Sequence, residues 1–409
     1  MRTQMMRIAA MALVVGGMTS VAWAEKTYDP GASDTEIKIG NIMPYSGPAS
    51  SYGVIGKTEA AFFNMINDEG GINGRKIKFI SYDDAYSPPK SIEQARKLVE
   101  SDEALLIFQS LGTPTNAAIM KYMNTKRVPQ LFVASGGTKF GDPKNFPWTM
   151  GFQPNYQSEG RIYARYILDH FPDSKIAVFW QNDDAGKDQF KGLKDGLGDK
   201  VGMIIAHKSY EVSDPSIDSQ IVALHDTGAD IFFSWAAPKG SAQAIRKVGE
   251  LGWKPKFFLA NTATTVASVL KPAGLDYAKG IISTAYVKDP TDPKWKDDPG
   301  VAKWRAFMTK YYPDGDQANA NTAYAYVQSQ AMVQVLKQCG DELTRANVMK
   351  QAANLKNYTS DMLLPGIMIN TSPDDYFPIE QMQLMRFNGE VWELFGDIIT
   401  GEVGHDGSR

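Results

Sequence analysis

The first residues suited to chemistry form a short loop of hydroxyl and aromatic groups behind an apolar segment. The loop contains Tyr45, Ser46, Ser50, Ser51 and Tyr52, with no acid, base or thiol among residues 44–52. Such side chains hold a small molecule through hydrogen bonds and stacking, but they offer neither a strong general base nor an activated nucleophile. The loop therefore predicts binding rather than catalysis.

The rest of the chain adds no catalytic pattern. The four histidines, at positions 170, 207, 225 and 405, are not spaced as metal ligands. There is no nucleophile elbow, phosphate-binding loop or Cys-x-x-Cys motif. The acidic pairs Asp83-Asp84 and Asp183-Asp184 stand at predicted strand ends, where carboxylates more often cap turns and helices than ligate metals. We expect no enzyme activity, no catalytic residue, no cofactor and no bound metal.

Two further segments combine hydroxyls with backbone N–H groups near predicted helix starts or turns. Gly112 and Thr113 precede one predicted helix, and Ala134, Ser135 and Gly136 follow a predicted strand. Free N–H groups at such places attract a carboxylate. Simple helix capping is the alternative, but we favour a ligand-facing role for both segments.

The elements that position these loops alternate in type. The first series has strands at 37–42, 76–82, 104–108 and 128–133, and helices at about 49–63, 91–100 and 117–123. Alternation at this spacing predicts a doubly wound parallel sheet. In such sheets ligands bind at the carboxyl ends of the strands, which is where the polar loops lie.

A second α/β series begins near residue 160. Strands are expected at 174–180, 204–206, 231–233, 256–259 and 280–286, and helices at 162–171, 217–225 and 242–251. Helices at 301–312, 322–339 and 344–353 follow, and then two strands, 381–388 and 390–396, joined through Asn388-Gly389. The pattern predicts two similar α/β lobes facing each other across a cleft.

The amino terminus has the pattern of a secretory signal peptide. Arg2 and Arg7 flank a short basic region, residues 8–21 are apolar, and Ala22-Trp23-Ala24 is a small-x-small cleavage site. The apolar run is shorter than the ~20 residues of a membrane span. We expect cleavage after Ala24 and a periplasmic mature protein.

Composition narrows the possible partners. The chain has 409 residues, 43% of them hydrophobic, and a net charge of −3, which gives no electrostatic reason to expect nucleic acid. The single cysteine, Cys339, cannot form an internal disulfide and is expected to be buried. The final residues, 401–409, are expected to be a disordered tail.

Four motifs together resemble the periplasmic solute-binding proteins of ABC importers, of the leucine/isoleucine/valine-binding type. They lie at residues 37–56, 67–74, 82–84 and 181–186. The resemblance implies the type I periplasmic-binding fold: two doubly wound parallel-sheet lobes joined by a three-segment hinge, with crossings near 152–155, 286–288 and 365–369. It also implies a monomer that closes around a small molecule and delivers it to a membrane permease.

The lobe boundaries follow from the same resemblance. The amino-terminal lobe is expected at 35–153 plus 288–366, and the carboxy-terminal lobe at 154–287 plus 367–400. The positions that hold a ligand carboxylate in that family fall near 112–113 and 134–136, and Tyr52 matches a family tyrosine.

Other family positions are changed in this sequence. The glutamate that pairs with a ligand ammonium falls at Thr262, and two wall tyrosines fall at Ala185 and Ala236. A phenylalanine falls near Asn319, and the family disulfide falls at positions 86 and 111, so it is absent.

These departures favour a larger ligand that has a carboxylate and no ammonium. An unpaired buried ammonium typically costs several kcal/mol, and the alanines free space. We therefore expect a benzoate- or hydroxycinnamate-like acid, stacked on Tyr45, Tyr52 or Trp235. The candidate ligand-binding residues are Tyr45, Ser46, Tyr52, Gly112, Thr113, Ala134, Ser135, Gly136, Asp184, Ala185, Trp235, Ala236, Thr262 and Asn319. The alternatives are a binding protein for a branched-chain amino acid or amide, and a receptor subunit that senses a ligand.

Overall fold

The structure is a computed structural model that describes residues 26–401. The expected signal peptide and residues 402–409 of the expected tail lie outside the described residues. Within residues 26–401, no helix combines the length and apolar character that crossing a membrane requires.

The described part of the chain alternates strands and helices along most of its length. The strands are β1 (Thr27–Tyr28), β2 (Glu36–Met43), β3 (Lys76–Asp83), β4 (Leu106–Phe108), β5 (Gln130–Val133), β6 (Thr149–Gly151), β7 (Ile176–Gln181), β8 (Ile204–Tyr210), β9 (Ile231–Trp235), β10 (Lys256–Leu259), β11 (Ile282–Ala285), β12 (Glu342–Leu343), β13 (Gln381–Phe387) and β14 (Trp392–Thr400). The helices are α1 (Val54–Asp68), α2 (Pro88–Arg96), α3 (Thr113–Lys126), α4 (Tyr156–His170), α5 (Asp184–Leu197), α6 (Asp218–His225), α7 (Pro238–Glu250), α8 (Lys271–Ala273), α9 (Leu275–Ala278), α10 (Pro299–Tyr311), α11 (Ala320–Cys339) and α12 (Arg345–Ala352).

The first lobe is built on a five-stranded sheet with the order β3-β2-β4-β5-β6. All of its strand pairs are parallel. The central strand β4 is apolar throughout and fully buried, as expected for a strand covered by helices on both faces.

The second lobe is built on a seven-stranded sheet with the order β14-β13-β11-β10-β9-β7-β8. The strands from β7 to β11 pair in parallel, whereas β13 pairs antiparallel with both β11 and β14. Two α/β lobes with parallel sheets are therefore confirmed, with an antiparallel hairpin added at one edge of the second sheet.

Helices from the later part of the chain complete the core of the first lobe. Trp304 of α10 and Val327 of α11 are buried in the same apolar cluster as Phe62 of α1 and Leu131 of β5. Cys339, at the end of α11, is 4% exposed in this cluster, as expected for a structural thiol. The precise boundaries of the two lobes stay a prediction.

Helix α5, which contains three glycines, was not predicted from the sequence. One of them, Gly192, and Gly160 of α4 sit where the two helices cross. A Cβ at Gly192 would lie 2.3 Å from the carbonyl oxygen of Gln157, and one at Gly160 would lie 2.5 Å from the backbone nitrogen of Leu193. These glycines permit a close helix contact rather than end the helix. The short strands β1, β6 and β12 were also missed.

Candidate ligand-binding site

A cavity of about 150 Å³ lies between the two lobes. Its first-lobe wall comes from the loops after β2, β4 and β5, and its second-lobe wall from those after β7, β9 and β10. Each of these loops follows the carboxyl end of a parallel strand, where open α/β sheets bind ligands. A cavity of this volume can hold a ring the size of benzene.

One end of the cavity is formed by the start of α3 with Thr113, and Ser135 lies behind Thr113. Their hydroxyl oxygens lie 2.7 Å apart and share a hydrogen bond. The first turn of α3 has no side-chain cap, and among the described residues the Thr113 N–H meets no protein acceptor. Because the N-terminus of a 14-residue helix carries partial positive charge, this end is suited to an anion.

Gly112 is required by the backbone at this point. Its φ is +103°, and a Cβ there would lie 2.5 Å from the Tyr86 ring. Ala85 and Tyr86 themselves have φ of 51° and 60°, in the left-handed region that non-glycine residues rarely adopt. The strained turn brings the Tyr86 ring against the start of α3, where both line the cavity.

The opposite wall is polar but carries no ionised acid of its own. Gln181, Gln189, Asn261, Thr262 and Thr284 line it. Tyr156 also lines the cavity, and burial raises the pKa of its hydroxyl to about 12, so it stays neutral in ordinary buffers. This wall can donate and accept hydrogen bonds without supplying a counter-charge for a ligand cation.

Charged groups do line the cavity where it meets the hinge, and the one cation there is already paired. Lys288 Nζ lies 2.9 Å from Asp298 Oδ1 and donates to the Asp361 carbonyl. Asp289 accepts from the backbone and hydroxyl of Thr291, and burial raises its pKa. The charged side chains at the hinge end are thus already bound to neighbouring protein groups.

Most of the ligand-binding residues predicted from the sequence come together around this cavity. Those that line it are Tyr52, Gly112, Thr113, Ala134, Ala185, Trp235, Ala236 and Thr262. Their contact with a ligand stays a prediction.

Tyr45 and Ser46 of the opening loop were predicted to bind the ligand, but neither lines the cavity. The Tyr45 hydroxyl shares a 2.6 Å hydrogen bond with Ser81 Oγ and packs closely against Gly56. Ser46 donates to Asp83 Oδ2 at 2.5 Å. Both side chains hold the loop to β3, and contact of either one with a ligand stays a prediction.

Four other predicted residues also lie outside the lining. Ser135 and Gly136 sit behind Thr113 and Tyr156, and a Cβ at Gly136 would come within 2.7 Å of the Tyr156 ring. Asp184 pairs with Lys139, and Asn319 caps α11 by accepting from the Asn321 N–H. These side chains are already used by the fold.

Several lining residues were missed by the sequence analysis. Tyr86, Gln153, Tyr156, Gln189 and Tyr324 belong to different elements and no local motif connects them. The one usable signal was at Tyr86, because the family's disulfide position falls there. Its other position, 111, also lines the cavity, so both sites of the absent disulfide face the ligand space.

Direct contacts join the lobes across the cleft. The Tyr52 hydroxyl donates to the carbonyl of Thr262 at 3.0 Å, and the Thr138 N–H donates to Asp188 Oδ2 at 2.6 Å. Lys139 Nζ forms a 2.5 Å ion pair with Asp184. The structure therefore shows a closed arrangement of the two lobes.

We expect Lys139→Met to favour the open form modestly. The ion pair is partly exposed, and such pairs typically contribute about 0.2–1 kcal/mol, or up to about fivefold in affinity. Solution scattering without ligand should show a larger radius of gyration, and calorimetry should show weaker binding with less dependence on salt. Lys144→Met, an exposed lysine of the same loop, is the matched control. Equal radii and affinities for the two variants would contradict the expectation.

The fold is shared with solved substrate-binding proteins. A branched chain amino acid ABC transporter structure from Thermus thermophilus, with bound valine, superposes with a TM-score of 0.79 at 15% identity and covers 90% of this chain and 97% of that one. A fatty acid ABC transporter substrate-binding protein from Thermomonospora curvata superposes at 0.77 with 18% identity, over 92% and 95% of the two chains. These likenesses define the class as a two-lobed protein of the type I periplasmic-binding fold.

The sequence comparisons identify the family. The chain belongs to the periplasmic binding protein family, which it matches over residues 36–390. The Leu/Ile/Val-binding protein homolog 1 of Brucella abortus (strain 2308) is 26% identical over 339 residues, or 81% of this chain and 87% of that protein. Membership implies a location outside the cytoplasm.

Proposed function

We propose that this protein is the solute-capturing component of an ABC importer and that its ligand is a small aromatic carboxylate. The observation that carries the proposal is the uneven charge of the cavity. An uncapped helix start with a hydroxyl pair lies at one end, and the facing wall offers only neutral polar groups. A ligand with one carboxylate and no ammonium matches that distribution.

The cavity walls support a flat, ring-bearing ligand. Tyr52 and Trp235 line the cavity from opposite lobes, and Ala185 and Ala236, at which the family resemblance implies tyrosines, leave space. Offset stacking on such a ring contributes about 0.5–1.5 kcal/mol beyond simple burial. We infer that the ligand ring lies between the lobes and that its carboxylate meets Thr113.

A branched-chain amino acid is the second candidate. The names of the Brucella and Thermus relatives favour it, and Asp289 and Asp292 do line the hinge end of the cavity. Both carboxylates, however, already accept local hydrogen bonds. Asp289 accepts from the Thr291 hydroxyl, and Asp292 accepts from the Lys294 N–H. An amino acid would have to compete for them or leave its ammonium unpaired.

Calorimetry on the mature protein with benzoate, p-coumarate and leucine separates the two candidates. We expect an aromatic acid to bind and leucine to bind weakly or not at all. Benzamide, which has no carboxylate, is the matched ligand control and should lose most of the affinity. Binding of leucine alone would defeat the aromatic proposal and favour the second candidate.

A further inference from the structure

Glu159, in the first turn of α4, lies behind the polar wall of the cavity. Its side chain is fully buried and does not itself line the cavity. Among the described residues it has no ion-pair partner. A buried carboxyl without a cation needs hydrogen-bond donors, and the wall of the cavity supplies most of them.

The donors are divided unequally between the two carboxyl oxygens. Oε1 accepts from the Asn261 N–H at 2.7 Å and from Thr284 at 3.3 Å. The Tyr163 hydroxyl lies 2.9 Å from Oε1 and shares its single hydrogen between Oε1 and the Leu259 carbonyl, 2.8 Å away. Oε2 accepts only from Gln189 Nε2, at 3.3 Å. Asn261, Thr284 and Gln189 all line the cavity, so one carboxyl holds three of its residues in place.

Gln189 is the partner whose amide can turn around. An ionised Glu159 accepts only, so Gln189 must point its NH2 group at Oε2 and leave its own oxygen to the cavity. A neutral Glu159 has to donate one hydrogen. Oε2 receives the fewer and longer hydrogen bonds, so it is the less stabilised oxygen of the anion and takes the proton, which Gln189 accepts if its amide flips. The flip turns the NH2 group toward the cavity.

We propose that Glu159 is a positioning residue that sets whether Gln189 turns its amide oxygen or its NH2 group toward the cavity. The charge state of Glu159 would in this way select the ligand. With Glu159 ionised, the cavity offers an acceptor and favours a ligand that carries a hydroxyl or N–H at its far end. With Glu159 neutral, the cavity offers a donor and favours an ether or carbonyl there. The ligand part of this inference rests on the proposed function.

Among the titratable groups that face one another here, Glu159 is the one whose pKa lies near neutrality. Burial raises the pKa of its carboxyl to about 7, although the donors around it act in the opposite direction. The titratable groups facing it are tyrosines, Tyr156 and Tyr163 from α4 and Tyr286 from the hinge, and burial raises the pKa of each. From α5, Asp188 is bound by the Thr138 N–H and by Gln157. The ends of β10 and β11 bring only Asn261, Ser283 and Thr284.

The first test needs no ligand. Protein labelled with 15N-glutamine is titrated from pH 5.5 to 8.5, and Gln189→Met identifies the side-chain amide resonance of Gln189. We expect this resonance to shift with a midpoint near pH 7 and to be insensitive to pH in Glu159→Gln. A Gln189 amide that does not respond to pH in the unmodified protein would overturn the proposal, whatever the ligand is.

The second test compares a hydroxyl ligand with its methyl ether, p-coumarate with 4-methoxycinnamate. One neutral hydrogen bond contributes about 1 kcal/mol, so preference for the hydroxyl should rise roughly five- to tenfold from pH 6 to pH 8. It should stay constant in Glu159→Gln and Gln189→Met, and rise normally in Glu93→Gln, which changes an exposed glutamate of α2. A melting curve establishes that each variant is folded.

The outcomes separate this inference from the proposed function. If both ligands bind but the preference is constant with pH in the unmodified protein, the role of Glu159 is wrong and the proposed function stands. If neither ligand binds, the proposed function is wrong, and the amide titration alone decides the role of Glu159.

Discussion

Replacing Thr113 with valine and Ser135 with alanine should weaken the binding of an aromatic carboxylate by about 100-fold. The two hydroxyls share a hydrogen bond, so one hydrogen of the pair remains for a ligand at the start of α3. A hydrogen bond to a charged group contributes about 1.5–3 kcal/mol, or about 10- to 150-fold. Removing both hydroxyls together avoids leaving either one unpaired, and calorimetry measures the loss directly.

Two controls define what this loss means. Thr125→Val makes the same change at the exposed far end of α3, where the hydroxyl bonds only to the Lys121 carbonyl, and should leave affinity unchanged. Because Ser135 also accepts from the Gly137 N–H, a small fall in melting temperature is expected in the double variant. Full affinity in a folded double variant would place the carboxylate elsewhere in the cleft.

Where one face or both faces of an element are buried, its sequence predicted it well. The strands β4, β5 and β9 are short apolar runs, which a parallel sheet requires, and α11 carries a continuous apolar pattern. The sequence failed at α5, where packing against α4 requires glycine and therefore removes the helical pattern. In that helix tertiary contact overrides local preference.

Some residues of the candidate site could likewise be predicted from the sequence, and others could not. The places of Thr113, Ala134 and Trp235 on the cavity wall were predictable because each lies at or just after the carboxyl end of a strand. Glu159 and Gln189 were not, because their meeting depends on how closely α4 approaches α5. Tyr45 was predicted from its polar neighbours in sequence, but it does not line the cavity, and its hydroxyl partner, Ser81, comes from β3.

Introducing a tyrosine at Ala185 should reduce the affinity for ring-bearing acids by at least about 1000-fold. Ala185 lines the cavity from the first turn of α5, and its backbone N–H donates to Asp183 Oδ1, so the substitution leaves the cap intact. A phenol ring in a cavity of about 150 Å³ takes the space that the ligand ring needs. A ring buries 150–200 Å² or more, which at about 25 cal/mol per Å² corresponds to about 4–5 kcal/mol.

The small variant Ala185→Ser is the matched control and should bind nearly as well as the unmodified protein, because it adds one atom and no ring. Both variants should melt within a few degrees of the unmodified protein, since the change projects into empty space rather than into a packed core. If Ala185→Tyr kept its affinity for p-coumarate, the ring could not lie between Ala185 and Trp235. Ala185 and Ala236 would then not create room for an aromatic ligand, while the variants at Thr113 and Ser135 would still test the carboxylate end.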